Sequence, residues 1–293
     1  MTHLPAIGFA LVAALCVALS AVSRQREAAR VPDGDLGAFG VLGSLVRRPN
    51  WWLGTAVGAG GYIFQALALG RGSVLLVQSL LVTSLLFALP LAAAFSGRVV
   101  RRAEWLWATV LVAAIVVLLV VGDPRQGHQH VSNRRWLITA AIGIPLLLGC
   151  VLGARRRVGR TRALLLGLAA GAMFALAAVL TKSLVALLGD GPLATFTSPV
   201  PYALAAVGLA AVTLQQNAYH AGDLQASLPA ATVAEPVIAA VLGVLLLDEY
   251  LDADRDHVLL LVVAFAALIA ATLALARSAA DTGRDDQPAR VRA

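Results

Sequence analysis

Nine long apolar stretches, separated by short polar loops, dominate the hydrophobic pattern of the chain. Each stretch is roughly 17–25 residues long, the length an α-helix needs to cross about 30 Å of hydrocarbon at about 1.5 Å per residue. Strands of a membrane barrel would be about ten residues long and would alternate in polarity. The pattern therefore predicts nine transmembrane helices, over residues 4–22, 51–69, 73–95, 104–121, 136–153, 163–187, 199–215, 226–247 and 258–276.

The composition agrees with a chain that lies almost wholly within a lipid bilayer. Hydrophobic residues make up 59% of the 293 positions and charged residues 13%, whereas a soluble domain carries about 25% charged residues. No separate soluble domain fits beside the apolar stretches. The sequence predicts an all-α polytopic membrane protein with a single transmembrane domain over residues 1–279 and a disordered cytoplasmic tail over residues 280–293.

The basic residues indicate the orientation of the helices. Most of the 23 Lys and Arg fall in segments 23–50, 96–103, 154–162 and 277–293, which alternate with loops that carry few. The positive-inside rule places these segments in the cytoplasm, with the N-terminus outside and the C-terminus inside the cell membrane. A nucleic-acid-binding protein would gather its charge on one folded face with aromatic residues between. The positive charge therefore predicts the orientation of the helices in the membrane. It does not indicate a nucleic-acid partner.

A weak internal repeat links the two halves of the chain. The residues Ala56-Val57-Gly58, Gln65, Ala68 and Gly72 recur 150 positions later as Ala206-Val207-Gly208, Gln215, Ala218 and Gly222. This relation pairs the second helix with the seventh, and an odd shift makes the two copies opposite in orientation, as in the inverted repeats of secondary transporters. The halves would span about 1–122 and 136–279. The fifth helix then has no partner, as if a first helix were missing.

An ionisable side chain inside the hydrocarbon is costly and is a functional hypothesis by default. Glu235 lies near the middle of the eighth stretch, before Pro236 and one helical turn after Thr232. One interpretation is a carboxylate that lines a central cavity and binds a cation, a proton or the substrate. The alternative is a protonated glutamate that shares a structural hydrogen bond with a neighbouring helix.

Lys182 is the only lysine of the chain and lies about five residues from the outer end of the sixth stretch. Its long stem could carry the ammonium to the membrane interface. Alternatively, it is a buried cation that faces Glu235 or an anionic group of the substrate.

Neutral polar residues cluster in the paired helices and either face a water-filled cavity or form interhelical hydrogen bonds. Together with the ionisable residues they form the predicted substrate-binding set, which is Glu235, Thr232, Gln65, Gln78, Ser79, Gln215 and Lys182.

Motifs for catalysis or metal binding are weak. His128 and His130 lie in an external loop with Asp123 nearby, but a third ligand at useful spacing is missing. Asp252, Asp254 and Asp256 alternate as in a calcium loop without its glycine and terminal glutamate. With Asp248 and Glu249 they predict an acidic outer rim, either solvated or attracting cations. The sequence thus predicts no cofactor, no metal site and no catalytic residues.

An integral enzyme that acts on lipid would need a cluster of catalytic groups at the interface. Only Asn217, His220 and Asp223 approach such a cluster. The protein is therefore predicted not to be an enzyme. A lipid-modifying protein and a non-transporting membrane scaffold are kept as alternatives from another functional class.

Two features resemble the drug/metabolite transporter superfamily of EamA-like proteins. The segment Leu245-Leu246-Leu247-Asp248-Glu249-Tyr250-Leu251, followed by an apolar last helix, resembles the apolar-Gly-Glu-x-Leu hairpin of that superfamily, with Asp248 where glycine is usual. The helix that contains Pro236 resembles its proline-bearing penultimate helix. Typical members have ten helices in two inverted five-helix repeats. The resemblance implies transport of a small solute by alternating access.

A nine-helix, N-out layout is similar to the NIPA-type branch, which is associated with magnesium transport. The matching positions are Trp51-Trp52, the hairpin around Gly70, and Thr181-Lys182-Ser183-Leu184. Val77-Gln78-Ser79-Leu80 stand where that branch has Pro-Leu-Gly. Divalent-cation transport is therefore the alternative transport function. The predicted partners are the lipid bilayer and a small-molecule or ion substrate, with a homodimer as an open alternative.

Overall fold

The structure, a computed structural model, describes residues 4–29, 49–96, 101–125, 127, 132–220 and 224–285. Its helices in chain order are α1 (Leu4–Ala29), α2 (Pro49–Leu69), α3 (Val74–Leu81), α4 (Ser84–Ser96), α5 (Arg102–Val120), α6 (Asn133–Arg155), α7 (Gly159–Gly189), α8 (Pro192–Thr197), α9 (Val200–His220), α10 (Leu224–Leu247) and α11 (Val258–Asp285). Two short strands, β1 (Pro124–Arg125) and β2 (Tyr250–Leu251), and a 3-10 turn (Arg255–His257) complete these elements.

The described helices confirm a multi-pass, all-α membrane protein. Six of them are long and apolar enough to cross a bilayer, within α2, α5, α6, α7, α10 and α11. Three shorter apolar helical segments, Leu4–Ser20, Val74–Ala88 and Val200–Gln215, coincide with the remaining predicted stretches. The many exposed leucine, isoleucine and valine side chains of these helices are those that lipid would cover.

The prediction of one continuous helix over residues 73–95 is wrong. The helix is interrupted at Val82 and Thr83, between α3 and α4. The Thr83 hydroxyl donates to the Leu80 carbonyl at 2.6 Å, and the Thr83 amide donates to the same carbonyl at 3.0 Å. A threonine side chain that bonds to nearby backbone competes with the regular helical hydrogen bonds. The α-helix is therefore interrupted here by a tighter turn, and the next helix begins at Ser84.

Several helices extend beyond their apolar stretches. α1 continues to Ala29, α9 to His220 and α11 to Asp285. The tail predicted as disordered from residue 280 is therefore helical in its first part, and residues 286–293 lie outside the described structure. In α1 and α11 the residues after the apolar segment include alanine and arginine, which favour the helix, so these helices continue beyond their apolar segments.

α7 lies at the centre of the helix packing, in contact with α2, α3, α6, α9 and α10. Its glycines permit the closest approach. A Cβ placed on Gly167 would lie 2.6 Å from the Ser227 carbonyl oxygen, and one on Gly171 would lie 2.7 Å from the Ala231 carbonyl oxygen. Small residues that let two backbones meet are the usual basis of helix association in lipid. The α7–α10 pair is therefore fixed by backbone contact.

Gly171→Ala is expected to destabilise the protein by roughly 1–3 kcal/mol, because the added methyl group overpacks the α7–α10 contact. Gly143→Ala in α6 is the matched control, since a Cβ there meets no atom within 4 Å. That control should be neutral or slightly stabilising, because alanine favours the helix over glycine. Thermal unfolding of the two purified variants in one detergent checks the difference, and equal midpoints would contradict the packing argument.

The loops at one end of the helices are joined by a small sheet. β1, which follows α5, pairs antiparallel with β2, which follows α10, with Pro124 opposite Leu251 and Arg125 opposite Tyr250. Gly127 lies so close to this junction that a Cβ there would be 1.9 Å from the Leu247 carbonyl oxygen. The sheet therefore holds the end of α10 and the residues after it in a defined position.

Candidate functional site

A buried ion pair joins the central helix to the segment that follows α10. The Lys182 Nζ of α7 lies 2.6 Å from the Glu249 Oε1, and the two side chains are 5% and 1% exposed. The ammonium also donates to the Gly72 carbonyl at 3.0 Å. Both charges are thus removed from solvent, and each is compensated by a specific partner.

The Glu249 carboxylate also caps the first turn of α3. It accepts hydrogen bonds from the Val74 amide at 2.7 Å and the Leu75 amide at 3.2 Å. The N-cap residue, Ser73, accepts with its hydroxyl from the Leu76 amide at 3.1 Å. A helix N-terminus carries free amides and a partial positive charge, so it stabilises an anion. Glu249 therefore interacts with two positive groups, the Lys182 ammonium and the end of α3.

The local backbone explains how Glu249 reaches this position. Asp248 has a φ of 52°, in the left-handed region that favours glycine. The Glu249 amide donates to the Gly243 carbonyl at 3.1 Å, so the chain folds back on α10. A Cβ on Gly243 would lie 2.7 Å from the Glu249 Oε2. The reversal of the chain at Asp248 and the lack of a side chain on Gly243 together leave room for the Glu249 carboxylate.

These contacts correct two expectations from the sequence. Lys182 is not exposed to solvent at the interface and does not pair with Glu235, because its ammonium is buried in an ion pair with Glu249. Glu249 is not part of a solvated acidic rim, since it is 2% exposed. The signal was available in part: a lone lysine within a membrane helix requires a counter-charge. The sequence alone could not single out Glu249 among the acidic residues of that loop.

The remaining acidic residues of that loop are partly paired with arginine. Asp248 lies 2.5 Å from Arg135, and Arg125 lies 2.6 Å from Asp123 and 3.3 Å from Asp252. These side chains are about one third to just over half exposed. Among the residues with described positions, no group of three or more His, Cys, Asp or Glu could hold a metal ion. His128 and His130 lie outside the described residues.

Glu235 lies in α10 and is half-buried. Gly171 of α7 faces it, since a Cβ there would lie 3.1 Å from the Glu235 amide nitrogen. Thr232 does not turn toward it: its hydroxyl donates to the Leu228 carbonyl at 2.8 Å, within the same helix. In the described ranges no hydrogen bond or ion pair reaches the Glu235 side chain. The alternative interpretation of Glu235 requires a hydrogen bond to a neighbouring helix, and the described residues do not supply one.

The other predicted site residues are distributed over three helices. Gln78 of α3 is 2% exposed, and its amide nitrogen has no hydrogen-bond partner. The Ser79 hydroxyl donates to the Leu75 carbonyl at 2.8 Å. Gln65 is buried in α2, and Gln215 is half-buried in α9. Within the part of the chain that is described, no hydrogen bond joins any two members of the predicted set.

Helix packing still relates the helices that carry these residues. α10 packs on both α3 and α7, and α2 and α9 both pack on α7. Two cavities, of about 380 Å³ and about 210 Å³, lie elsewhere, at α4–α5 and at the ends of α5 and α11, and Glu235 lines neither. For the alternative enzymatic cluster, Asn217 is exposed, and Asp223 lies outside the described residues.

The chain is 38% identical over 279 residues to an uncharacterized protein of Corynebacterium glutamicum, a match that covers 94% of this chain and 96% of that protein. No family model matches the chain. No solved structure matches it.

Proposed function

This chain belongs to the same protein family as the corynebacterial protein, and we propose that it is a secondary transporter that moves a small solute across the cytoplasmic membrane by alternating access. The observation that carries the proposal is Glu235, an ionisable side chain within an apolar span, for which the described residues supply no ion pair. Such groups are costly in hydrocarbon and mark substrate or ion pathways. We assign Glu235 to the coupling ion or the substrate.

The interrupted helix α3–α4 supports the same function. Transporters commonly place substrate and ion sites at helices that break within the membrane. Gln78 lies about one turn before this break, on a helix that packs against α10. A buried amide without a partner costs about 1–3 kcal/mol. A hydrogen-bond-accepting group of the substrate would satisfy the Gln78 nitrogen, so the proposed solute carries both a cationic and an oxygen-bearing group.

The pairs of packed helices also support an inverted repeat. α1 packs on α2 in the first half, as α7 packs on α9 in the second. Across the halves, α3 packs on α10, and α5 packs on α11. These pairs join the third apolar stretch to the eighth and the fourth to the ninth, which is the shift of five in the sequence repeat. A two-fold axis in the membrane plane would produce this arrangement.

The alternative of divalent-cation transport receives less support. The acidic residues of the loops after α5 and α10 would attract such ions, but Asp123, Asp248 and Asp252 are each paired with arginine. The buried Glu249 is already compensated by Lys182. An organic solute is therefore the preferred substrate class, and divalent cations remain the comparison class in the experiment.

Flux measurements on purified protein in lipid vesicles test the proposal. The panel comprises amines, amino acids and divalent cations, each measured with and without a proton gradient, against protein-free vesicles. We expect saturable flux of an organic cation or amino acid. Saturable flux of divalent cations alone would replace the preferred substrate with the alternative. Failure of correctly folded protein to move any member would favour a non-transporting scaffold.

The arginine bias predicts the orientation. Cysteine introduced at Gln129 is expected to react with an impermeant thiol reagent in intact cells, and cysteine introduced at Arg156 is expected to react only after lysis. Cys16 and Cys150 are the two native cysteines and are first replaced by alanine so that only the introduced thiol reports. The reverse labelling pattern would show that the predicted topology is inverted.

A further inference from the structure

An apolar groove between two helices adjoins a basic pocket at one end of the helices, and Glu104 lines both. The groove has a volume of about 380 Å³ and lies between α4 and α5, with Leu86, Pro90, Trp105, Val112 and Ala113 in its lining. α4 packs mainly on α1, whereas α5 packs mainly on α11. The two helices therefore diverge and leave an apolar space that is open to the bilayer.

The basic pocket lies where two apolar spans end. It has a volume of about 210 Å³ and is lined by Arg101, Trp107, Arg277 and Ser278, among others. The apolar span of α5 begins at Arg102 and that of α11 ends at Ser278. The pocket is thus at the depth of lipid headgroups, where tryptophan is also enriched.

Glu104 joins the groove and the pocket, since it lines both. It is 4% exposed, and both carboxylate oxygens accept hydrogen bonds. Oε2 accepts from the Arg101 amide at 2.7 Å, and Oε1 accepts from the Ser278 hydroxyl. The carboxylate therefore links the start of α5 to α11 through these two hydrogen bonds. Its negative charge is stabilised by the positive end of α5.

The charges of the pocket match a phosphodiester. Among the described residues that line the pocket, Arg101 and Arg277 are positively charged and Glu104 is negatively charged, so the positive charges outnumber the negative one. Both arginines are exposed, and no ion pair to either guanidinium is found in the described ranges. Guanidinium groups bind phosphate oxygens in bidentate geometry. Basic pockets at helix ends bind anionic lipid headgroups by this chemistry.

We propose that this groove and the adjoining pocket bind one anionic phospholipid, with the phosphodiester against Arg101 and Arg277 and an acyl chain in the groove between α4 and α5. The occupant is an amphipathic anion, because the apolar groove and the cationic pocket meet at Glu104. The groove volume falls within the range of about 300–1,000 Å³ for ligand sites. The site is separate from Glu235 and does not depend on transport.

Native mass spectrometry of the detergent-purified protein tests the proposal, with phosphatidylglycerol and phosphatidylcholine of identical acyl chains as probes. We expect phosphatidylglycerol to bind about tenfold more tightly. Arg277→Gln and Arg101→Gln should each abolish most of this preference. Arg160→Gln is the matched control, since Arg160 is an exposed arginine at the start of α7 that lines neither cavity. It should retain the preference.

A second pair of variants tests the groove. Ala113→Phe fills the groove and should weaken the binding of both lipids, whereas Ala141→Phe on the exposed face of α6 should not. Equal affinity for the two lipids, or equal losses in Arg160→Gln and Arg277→Gln, would overturn the proposal. Complete release of phosphatidylglycerol by millimolar inorganic phosphate, with no effect of Ala113→Phe, would show a simple anion site instead. Unaltered thermal unfolding of each variant verifies that it is folded.

Discussion

Glu249→Gln is expected to destabilise the protein by about 3–5 kcal/mol, because it leaves the Lys182 ammonium buried without a counter-charge. The ammonium is 5% exposed, and its only other hydrogen-bond acceptor in the described structure is the Gly72 carbonyl. Glutamine has nearly the shape of glutamate, so the packing changes little. The two carboxylate oxygens of Glu249 accept hydrogen bonds from two backbone amides at the start of α3. A glutamine has only one side-chain oxygen to accept them.

A double variant separates the charge from the packing. Lys182→Met with Glu249→Gln removes both charges, and we expect it to recover part of the lost stability, as apolar replacements of buried ion pairs do. Asp248→Asn is the control, because its pair with Arg135 is more than one third exposed and such pairs contribute about 0–1 kcal/mol. Thermal unfolding in detergent measures the stability of the three variants and of the unmodified protein. A loss in Glu249→Gln no larger than that in Asp248→Asn would show that the buried pair is not a determinant of stability.

Glu235→Gln is expected to abolish coupled transport, or its dependence on pH, while the protein reaches the membrane at normal levels. The substitution retains the size and the hydrogen-bonding capacity of the side chain and removes its ionisable group. If the carboxylate carries the coupling proton or binds a cationic substrate, its loss affects the transport cycle and leaves the packing of α10 intact. A reduction of tenfold or more in flux corresponds to an increase of about 1.4 kcal/mol or more in the activation free energy of transport.

Two controls accompany this variant. Thr213→Val removes a hydroxyl that is bonded within its own helix at 2.7 Å on an exposed face, so its flux should equal that of the unmodified protein. Glu235→Asp retains the charge and should keep part of the activity. Normal flux in Glu235→Gln at every pH tested would refute the assignment of this residue, although transport by the protein would then stand.

The coarse architecture could be predicted from the sequence because the bilayer acts on each segment separately. An apolar run of about 20 residues must become a helix in lipid, where every backbone group has to be bonded within the segment. Six of the predicted stretches therefore coincide with helices long and apolar enough to cross a bilayer, and the other three overlap shorter apolar helical segments. Errors arose where local bonds compete with this rule. Thr83 interrupts the third stretch, and the tail beyond residue 280 continues α11.

By itself, then, the sequence determined the membrane class, the apolar helical segments and the polar residues that hydrocarbon makes costly. The tertiary structure decided which of those residues meet. Lys182 and Glu249 are 67 positions apart, and Glu249 contacts the start of α3 across 175 positions. Hydrophobicity is a property of each position, whereas a pairing depends on how the helices pack and where a turn such as that at Asp248 directs the next side chain. The lone lysine therefore predicted that a counter-charge exists, and only the packing of α7 against α3 and α10 selected Glu249.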